Sequence, residues 1–220
     1  MWLLRPPGVY RPQDDTRLLA GALAKAAVPA GGRALDICAG TGALAIAAAR
    51  AGAASVVATD VSRRAVVATA LNARLHRVPV RAQHGDFADL VGGRPFDLVL
   101  ANPPYVPCGD PAEPRGRDRA WDAGPRGRAV LDRLCAVLPL LLAEGGTALV
   151  VHSGLCGTAT TLDQLRGGGL KASVVERRTV PFGPVLRGRA AWLEDSGLVE
   201  PGQRTEELVV IRADRSARPS

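Results

Sequence analysis

Along the chain, short runs of β-branched and other apolar residues alternate with Ala- and Leu-rich stretches of helical length. That alternation predicts βαβ units and a mainly parallel sheet. Strands are expected over residues 33–37, 55–59, 78–82, 96–100, 147–152, 171–177 and 207–212. Helices are expected over 17–27, capped by Asp14-Asp15-Thr16, over 43–51, from the cap Ser62 to residue 75, over 127–142 and over 159–165. Pro139 should kink the fourth of these helices or end it early. Residues 103–125 lose all periodicity, and a loop that long inside a compact domain is functional or disordered. A basic segment with Pro and Gly, 178–202, carries a short helix near 186–195, and the polar tail 213–220 should fray.

Composition narrows the class. Hydrophobic residues make up 47% and charged residues 22% of the 220 residues, ordinary values for a globular chain with a full core. Every apolar run is broken well before the roughly 20 residues that a membrane helix needs, and the start has no apolar region long enough for a secretory signal. Cys38, Cys108, Cys135 and Cys156 form no CxxC pair and match no zinc spacing, so they read as reduced thiols of a cytoplasmic protein. The formal charge is +7, but Lys25 and Lys171 are the only lysines among 28 basic residues. That imbalance looks like a coding bias. With the arginines scattered and only three Trp, two Tyr and three Phe, a nucleic-acid platform is the weaker expectation.

Three motifs at strand ends carry candidate chemistry. Asp36-Ile37-Cys38-Ala39-Gly40-Thr41-Gly42 places small residues at a strand-to-helix turn, where backbone can approach a ligand and free amides face it. Asp60 ends the next strand, where a carboxylate can take both hydroxyls of a ribose. Asp36 lies inside the turn and would repel a pyrophosphate, so it suits a ligand with an ammonium or sulfonium. A packed turn without ligand is the plain alternative. Asp86-Phe87, after Gly85, can hold an adenine by its amine and its face, although Gly-Asp is also a common turn. Asn102-Pro103-Pro104-Tyr105 is the sharpest signal. Two prolines stiffen the backbone, so the Asn102 side chain and the Pro103 carbonyl are held as acceptors for one planar –NH2 group, with Tyr105 against its plane. An ordinary turn after a strand is the competing explanation.

Taken in order, these residues resemble class I S-adenosylmethionine-dependent methyltransferases, specifically the HemK/PrmC-like family that methylates glutamine in translation release factors. Val9-Tyr10-Arg11-Pro12-Gln13-Asp14-Asp15-Thr16 is similar to the segment that closes over the cofactor in the family's short branch. Ala120-Trp121-Asp122-Ala123-Gly124 and Gly127-Arg128 resemble the stretch that follows the catalytic loop. The resemblance runs from about Val9 to Val151.

It implies a Rossmann-like α/β fold, a seven-stranded, mainly parallel sheet with one antiparallel strand and helices on both faces. It implies one methyltransferase domain over 1–220, with a cofactor-covering segment 1–30, an active-site loop 103–126 and a C-terminal insertion 178–205 of unassigned role. S-adenosyl-L-methionine would be the cofactor and S-adenosyl-L-homocysteine its product. Thr16, Asp36, Cys38, Gly40, Gly42, Asp60, Asp86, Phe87 and Asn102 would bind it, and Asn102, Pro103 and Tyr105 would act on the substrate amide. Cys38 stands where the family usually has glycine, so only its backbone need face the ligand. The long branch's N-terminal helical domain is not expected here; members of the short branch often work with a small zinc-binding activator protein, which would then be a partner.

No histidine base is required for such a transfer; His84, His76 and His152 are expected to be structural. Asp118, Arg119 and Asp122 are candidate substrate contacts or solvated loop charges. Rival readings are methyl transfer to an exocyclic amine of nucleic acid or to a small molecule, and a non-catalytic cofactor-binding subunit.

Overall fold

The computed structural model describes residues 1–26, 31–110, 116 and 118–217. Its seven strands are β1 (Arg33–Ile37), β2 (Ser55–Asp60), β3 (Val80–His84), β4 (Phe96–Ala101), β5 (Leu142–Ser153), β6 (Lys171–Pro181) and β7 (Thr205–Asp214). They form one sheet in the order β3-β2-β1-β4-β5-β7-β6. The strands are parallel except β7, which runs antiparallel to both neighbours. Helices α1 (Asp14–Lys25), α2 (Ala43–Arg50), α3 (Arg63–Leu75), α4 (Ala129–Leu141) and α5 (Thr158–Gly167) pack against it, α1 beside α2 and α4 beside α5. Two short helices, α6 (Pro184–Gly188) and α7 (Ala190–Asp195), interrupt the link from β6 to β7.

The centre of the sheet is covered on both faces, which is why β4 and β5 each contain a four-residue apolar run without alternation. Leu98–Ala101 and Ala148–Val151 are all buried. No helix among the described residues is long and apolar enough to cross a membrane.

Several boundaries differ from expectation for identifiable reasons. Helix α1 begins three residues early, at Asp14, with Gln13 as its N-cap. Asp14 and Asp15 sit in its first turn, where they complement the helix dipole instead of capping it. Residue 27, expected to end that helix, lies outside the described residues, as do 111–115 and 117 of the loop and 218–220 of the tail. Strand β3 starts two residues late. The Val78 amide closes α3 by donating to the Ala73 carbonyl (3.1 Å), and Pro79 has no N–H to give to a ladder. Helix α4 runs two residues past Pro139. Arg215 Nη1 then takes up the Pro139 and Leu142 carbonyls (2.9 and 2.6 Å). Ala213 and Asp214, assigned to a fraying tail, pair with Ala148 and Thr147 as the end of β7. The single helix expected near 186–195 is two helices broken at Arg189.

Candidate active site

Strands β1, β2 and β4 end level with one another: Ile37 is in register with Thr59 on one side and with Ala101 on the other. Beyond these carboxyl ends lies a cavity of about 740 Å³. It is the usual place for a ligand in such a sheet. Gly8, Tyr10, Asp15 and Thr16 close it from the N-terminal side, Cys38 to Thr41 and Asp60 form one wall, and Asn102 to Val106 form the other. Arg119, Ala120 and Trp121 of the long loop reach it as well.

The first wall is a tight turn built by positive φ. Cys38, Gly40 and Gly42 have φ of 58°, 56° and 78°. The Gly42 amide donates to the Ala39 carbonyl at 2.7 Å, and a Cβ on Gly42 would lie 2.8 Å from Thr69 Cγ2, so only glycine fits there. Asp60 accepts the Gly40 amide on Oδ2 (2.9 Å) and the Ser62 amide on Oδ1 (2.8 Å), which fixes its carboxylate at the cavity wall. Buried Asn72 of α3 ties this turn to the N-terminal segment. It donates to the carbonyls of Thr41 and Leu4 (both 2.9 Å) and accepts the Leu4 amide (2.8 Å).

Asp36 is 1% exposed. One oxygen accepts the Ala45 amide at 2.8 Å, while Oδ1 has no hydrogen-bond partner among the described residues. Burial pushes its pKa up to about 8; the Ala45 bond pulls the other way and the Asp60 charge adds to the rise. A buried carboxylate with an idle oxygen is an acceptor that a cationic neighbour would stabilise. Asp36 lies behind the turn and is not part of the cavity wall.

The second wall centres on Asn102. Its Nδ2 donates to Thr16 Oγ1 (3.2 Å), and Thr16 Oγ1 donates to Asp15 Oδ1 (3.1 Å). The amide is thereby oriented, with the donor end spent on α1 and Oδ1 left as acceptor. Asp15 is 3% exposed and takes four donors. Oδ1 accepts the Thr16 amide (2.5 Å) and hydroxyl, and Oδ2 accepts the hydroxyls of Tyr10 (2.7 Å) and Tyr105 (3.1 Å). Burial, reinforced by the Asp15 charge, drives both phenols well above their ordinary pKa, so they remain neutral donors. Glu206, at the start of β7, is also buried, and burial raises its pKa to about 6.

The chain after Tyr105 is locked from below. A Cβ on Gly127 would collide with the Tyr105 carbonyl, so glycine with φ 66° lets the returning chain pass. Cys156 Sγ donates to the same carbonyl (3.0 Å). Arg128, 8% exposed, donates to the carbonyls of Cys156 and Gly157, to Thr161 Oγ1, to Gln164 Oε1 and to Asp132 Oδ1, at 2.5–3.2 Å.

Of the expected residues, Thr16, Cys38, Gly40, Asp60, Asn102, Pro103 and Tyr105 line the cavity, Gly42 shapes its turn and Asp36 backs it. Asp86 and Phe87 do not line it, although the Asp86 charge acts on Cys38 of the first wall. Phe87 is buried in the core beneath the Arg133 guanidinium. Asp86 caps a short 3-10 helix through the Ala88 amide (2.9 Å) and pairs with Arg133 (2.8 Å). Among the described residues no histidine lines the cavity: His84 contacts the Val61 carbonyl, and His152 is fully buried, its pKa lowered to about 4 by burial. Sequence reasoning missed Asp15 and Asn72. The available signal for Asp15 was an acid beside Thr16, three residues after Pro12 and five after Tyr10, but an acid at a helix start reads first as a cap.

The methyltransferase small domain family model matches residues 1–111. A protein of Methanocaldococcus jannaschii named "Putative protein N5-glutamine methyltransferase" is 34% identical over 177 residues, covering 80% of this chain and 88% of that protein. A release factor glutamine methyltransferase of Mycolicibacterium smegmatis is 33% identical over 161 residues, covering 70% of this chain and 57% of that protein, so the match spans little more than half of the bacterial enzyme. Among solved structures, a chain of the E. cuniculi Mtq2–Trm112 complex, which methylates the translation termination factor eRF1, aligns with a TM-score of 0.64 and 21% identity. That alignment covers 95% of this chain and 99% of that one, and it speaks for the fold. With half of its length matched by the family model and most of both chains shared with the archaeal protein, the chain belongs to the methyltransferase small domain family.

Proposed function

We propose that this enzyme transfers a methyl group from S-adenosyl-L-methionine to the side-chain nitrogen of a glutamine, in a Gly-Gly-Gln segment of a peptide chain release factor. The observation that carries this reading is the oriented Asn102 amide, whose donor end is held by Thr16 so that its oxygen can accept from a substrate –NH2. The names of the archaeal and bacterial relatives support glutamine as the target.

The residues present fit the cofactor. Asp60 offers a fixed carboxylate at the wall for ribose hydroxyls. The turn at Cys38 to Gly42 keeps side chains out of the ligand's way, and Asp36, once a cationic methionyl end draws off its proton, would supply negative charge behind it. Asp86 and Phe87, just beyond the end of β3, are the proposed partners of the adenine. When bound, S-adenosylmethionine supplies an electrophilic methyl on a sulfonium.

Asn102 and the Pro103 carbonyl accept the two N–H bonds of the substrate amide, and Tyr105 packs against its plane. An amide nitrogen is a weak nucleophile because its lone pair is delocalised. The two acceptors stabilise the positive charge that develops as the new N–C bond forms, and the surplus proton then passes to water. Holding the nitrogen in line for attack is worth roughly 7–11 kcal/mol. Pro103 and Pro104 keep this geometry from relaxing, and no side-chain base is needed.

In this reading residues 1–220 form one methyltransferase domain acting in the cytoplasm, where release factors work. The two-protein E. cuniculi complex supports a small partner protein for this chain too.

The test is tandem mass spectrometry of a host release factor after incubation with enzyme and cofactor. One added methyl on the Gly-Gly-Gln side chain, absent with Asn102→Ala, is the expected result. An unmodified glutamine from enzyme that binds cofactor, assayed with its co-purified partners, would overturn the substrate assignment. Label appearing in RNA or in a small molecule would replace it.

A further inference from the structure

The link from β6 to β7, residues 182–204, has its own small core. Phe182, Leu186, Leu193 and Val199 bury one another apart from the main core. Its base is closed by the Phe182 amide donating to the Arg204 carbonyl (2.9 Å). This unit does not stand free of the active site. Val106, the residue after Asn-Pro-Pro-Tyr, packs into its apolar cluster. Trp192 lies so close to Gly109 that a Cβ there would meet Nε1 at 2.6 Å.

The polar contact is more specific. Arg189, at the break between α6 and α7, donates from one guanidinium nitrogen to the Pro107 carbonyl (2.9 Å) and to Asp122 Oδ1 (2.6 Å). The Asp122 side chain is 8% exposed and that of Arg189 24%. Pro107 and Asp122 stand on the two sides of the neck of the long loop. That neck is held by the Val106 amide on the Trp121 carbonyl (2.7 Å), Ala123 on Val106 (3.1 Å) and Cys108 on Gly124 (2.9 Å). Three backbone bonds close a long excursion, and the arginine clamps both of its sides at once. Beyond the clamp, Arg119, Ala120 and Trp121 face the cavity.

We infer that the β6–β7 link is a buttress for the active-site loop, and that Arg189 is a positioning residue that sets how the substrate segment is captured without touching the reacting atoms. The inference rests on the proposed glutamine substrate for its kinetic arm. The clamp itself does not. Arginine suits the task because its planar head serves two acceptors in one fixed geometry, which a lysine reproduces only in part.

Hydrogen exchange and kinetics on the full chain test this in Arg189→Ala, Arg189→Lys and Asp122→Asn. In Arg189→Ala the amides of Val106, Cys108 and Ala123 should exchange about ten- to a hundredfold faster, the scale of one lost charge-assisted hydrogen bond. The amides of Gly40 and Ala45, on the other wall, should change by less than about twofold. The KM for the glutamine substrate should rise about tenfold while cofactor Kd holds within about twofold, with Arg189→Lys between wild type and Ala. Unchanged neck exchange in all three variants would overturn the clamp. Equal losses at both walls would reduce Arg189 to general stability. If Arg189→Ala does not fold, the lysine and asparagine variants carry the same test. If wild-type enzyme methylates no glutamine, the functional reading fails, and exchange alone still decides for or against the clamp.

Discussion

The two walls of the cavity are held by contacts of very different reach. On the wall formed by β1 and β2, the Ala45 amide reaches Asp36 across nine residues, and the Gly40 amide reaches Asp60 across 20. Both bonds close within one βαβ unit. On the wall formed by β4, Thr16 meets Asn102 from 86 residues away, Asp15 meets Tyr105 from 90, and Arg189 meets Asp122 from 67. The carboxylate contacts of the first wall are thus local to one motif, and a long-range tie from it runs through Asn72 to Leu4. The second wall exists only when α1, the loop and the β6–β7 link have all docked. Cofactor binding and substrate chemistry should therefore fail separately.

The largest effect is expected from removing a remote anchor of the second wall. Arg128→Ala leaves several buried acceptors without a donor and should cost about 3 kcal/mol of unfolding free energy, read by urea denaturation. A loss below about 1 kcal/mol would mean that water replaces the guanidinium and the anchor is not needed. Next comes Thr16→Val, which removes the acceptor that orients Asn102. Its kcat should fall about ten- to a hundredfold, more than its cofactor affinity, with Thr16→Ser close to wild type. Equal kcat in the valine variant would show that Asn102 needs no orientation from α1.

The first wall answers to pH. Asp36 keeps its proton in the folded, ligand-free state up to about 8, whereas the unfolded chain gives it up near the ordinary carboxylate value. The folded state therefore binds the extra proton between those limits, and stability should decline as pH rises from about 4 to about 8. Asp36→Asn should flatten that decline in a series of melting temperatures. A slope that survives the substitution would assign it to another group. The smallest effect is expected for Cys38→Gly. Relief of a left-handed backbone is worth about 1–2 kcal/mol, while added freedom of the unfolded chain takes back about 0.4–1 kcal/mol. Stability should rise slightly and cofactor binding should persist, whereas lost binding would give the thiol a role that the geometry does not.

What was legible in the sequence follows the same division. Strand β1, the glycine turn, Asp60 and Asn-Pro-Pro-Tyr all announce themselves by residue type over a few positions, and β1 lies where periodicity puts it. Strand β3 slipped by two residues because the Val78 amide had already been taken by α3. Asp15 looked like a cap, because no local pattern says that two tyrosines will converge on it. Arg189 stood in a basic segment with no assigned role, and only the folded loop supplies its partners. Asp86 and Phe87 were singled out by position beside two other strand ends, and their contacts with Arg133 from α4 could not be read from the sequence.

The division between the walls is tested most directly by measuring cofactor Kd and the single-turnover methylation rate side by side in Asp60→Ala and Asn102→Ala. Asp60→Ala should weaken cofactor binding about ten- to a hundredfold, the scale of lost charge-assisted hydrogen bonds. Asn102→Ala should retain cofactor affinity within about twofold and lose about 10²–10³ in rate. If both variants lost affinity and rate in the same proportion, the two walls would be one cooperative unit rather than separate devices, contrary to the division drawn from their contacts.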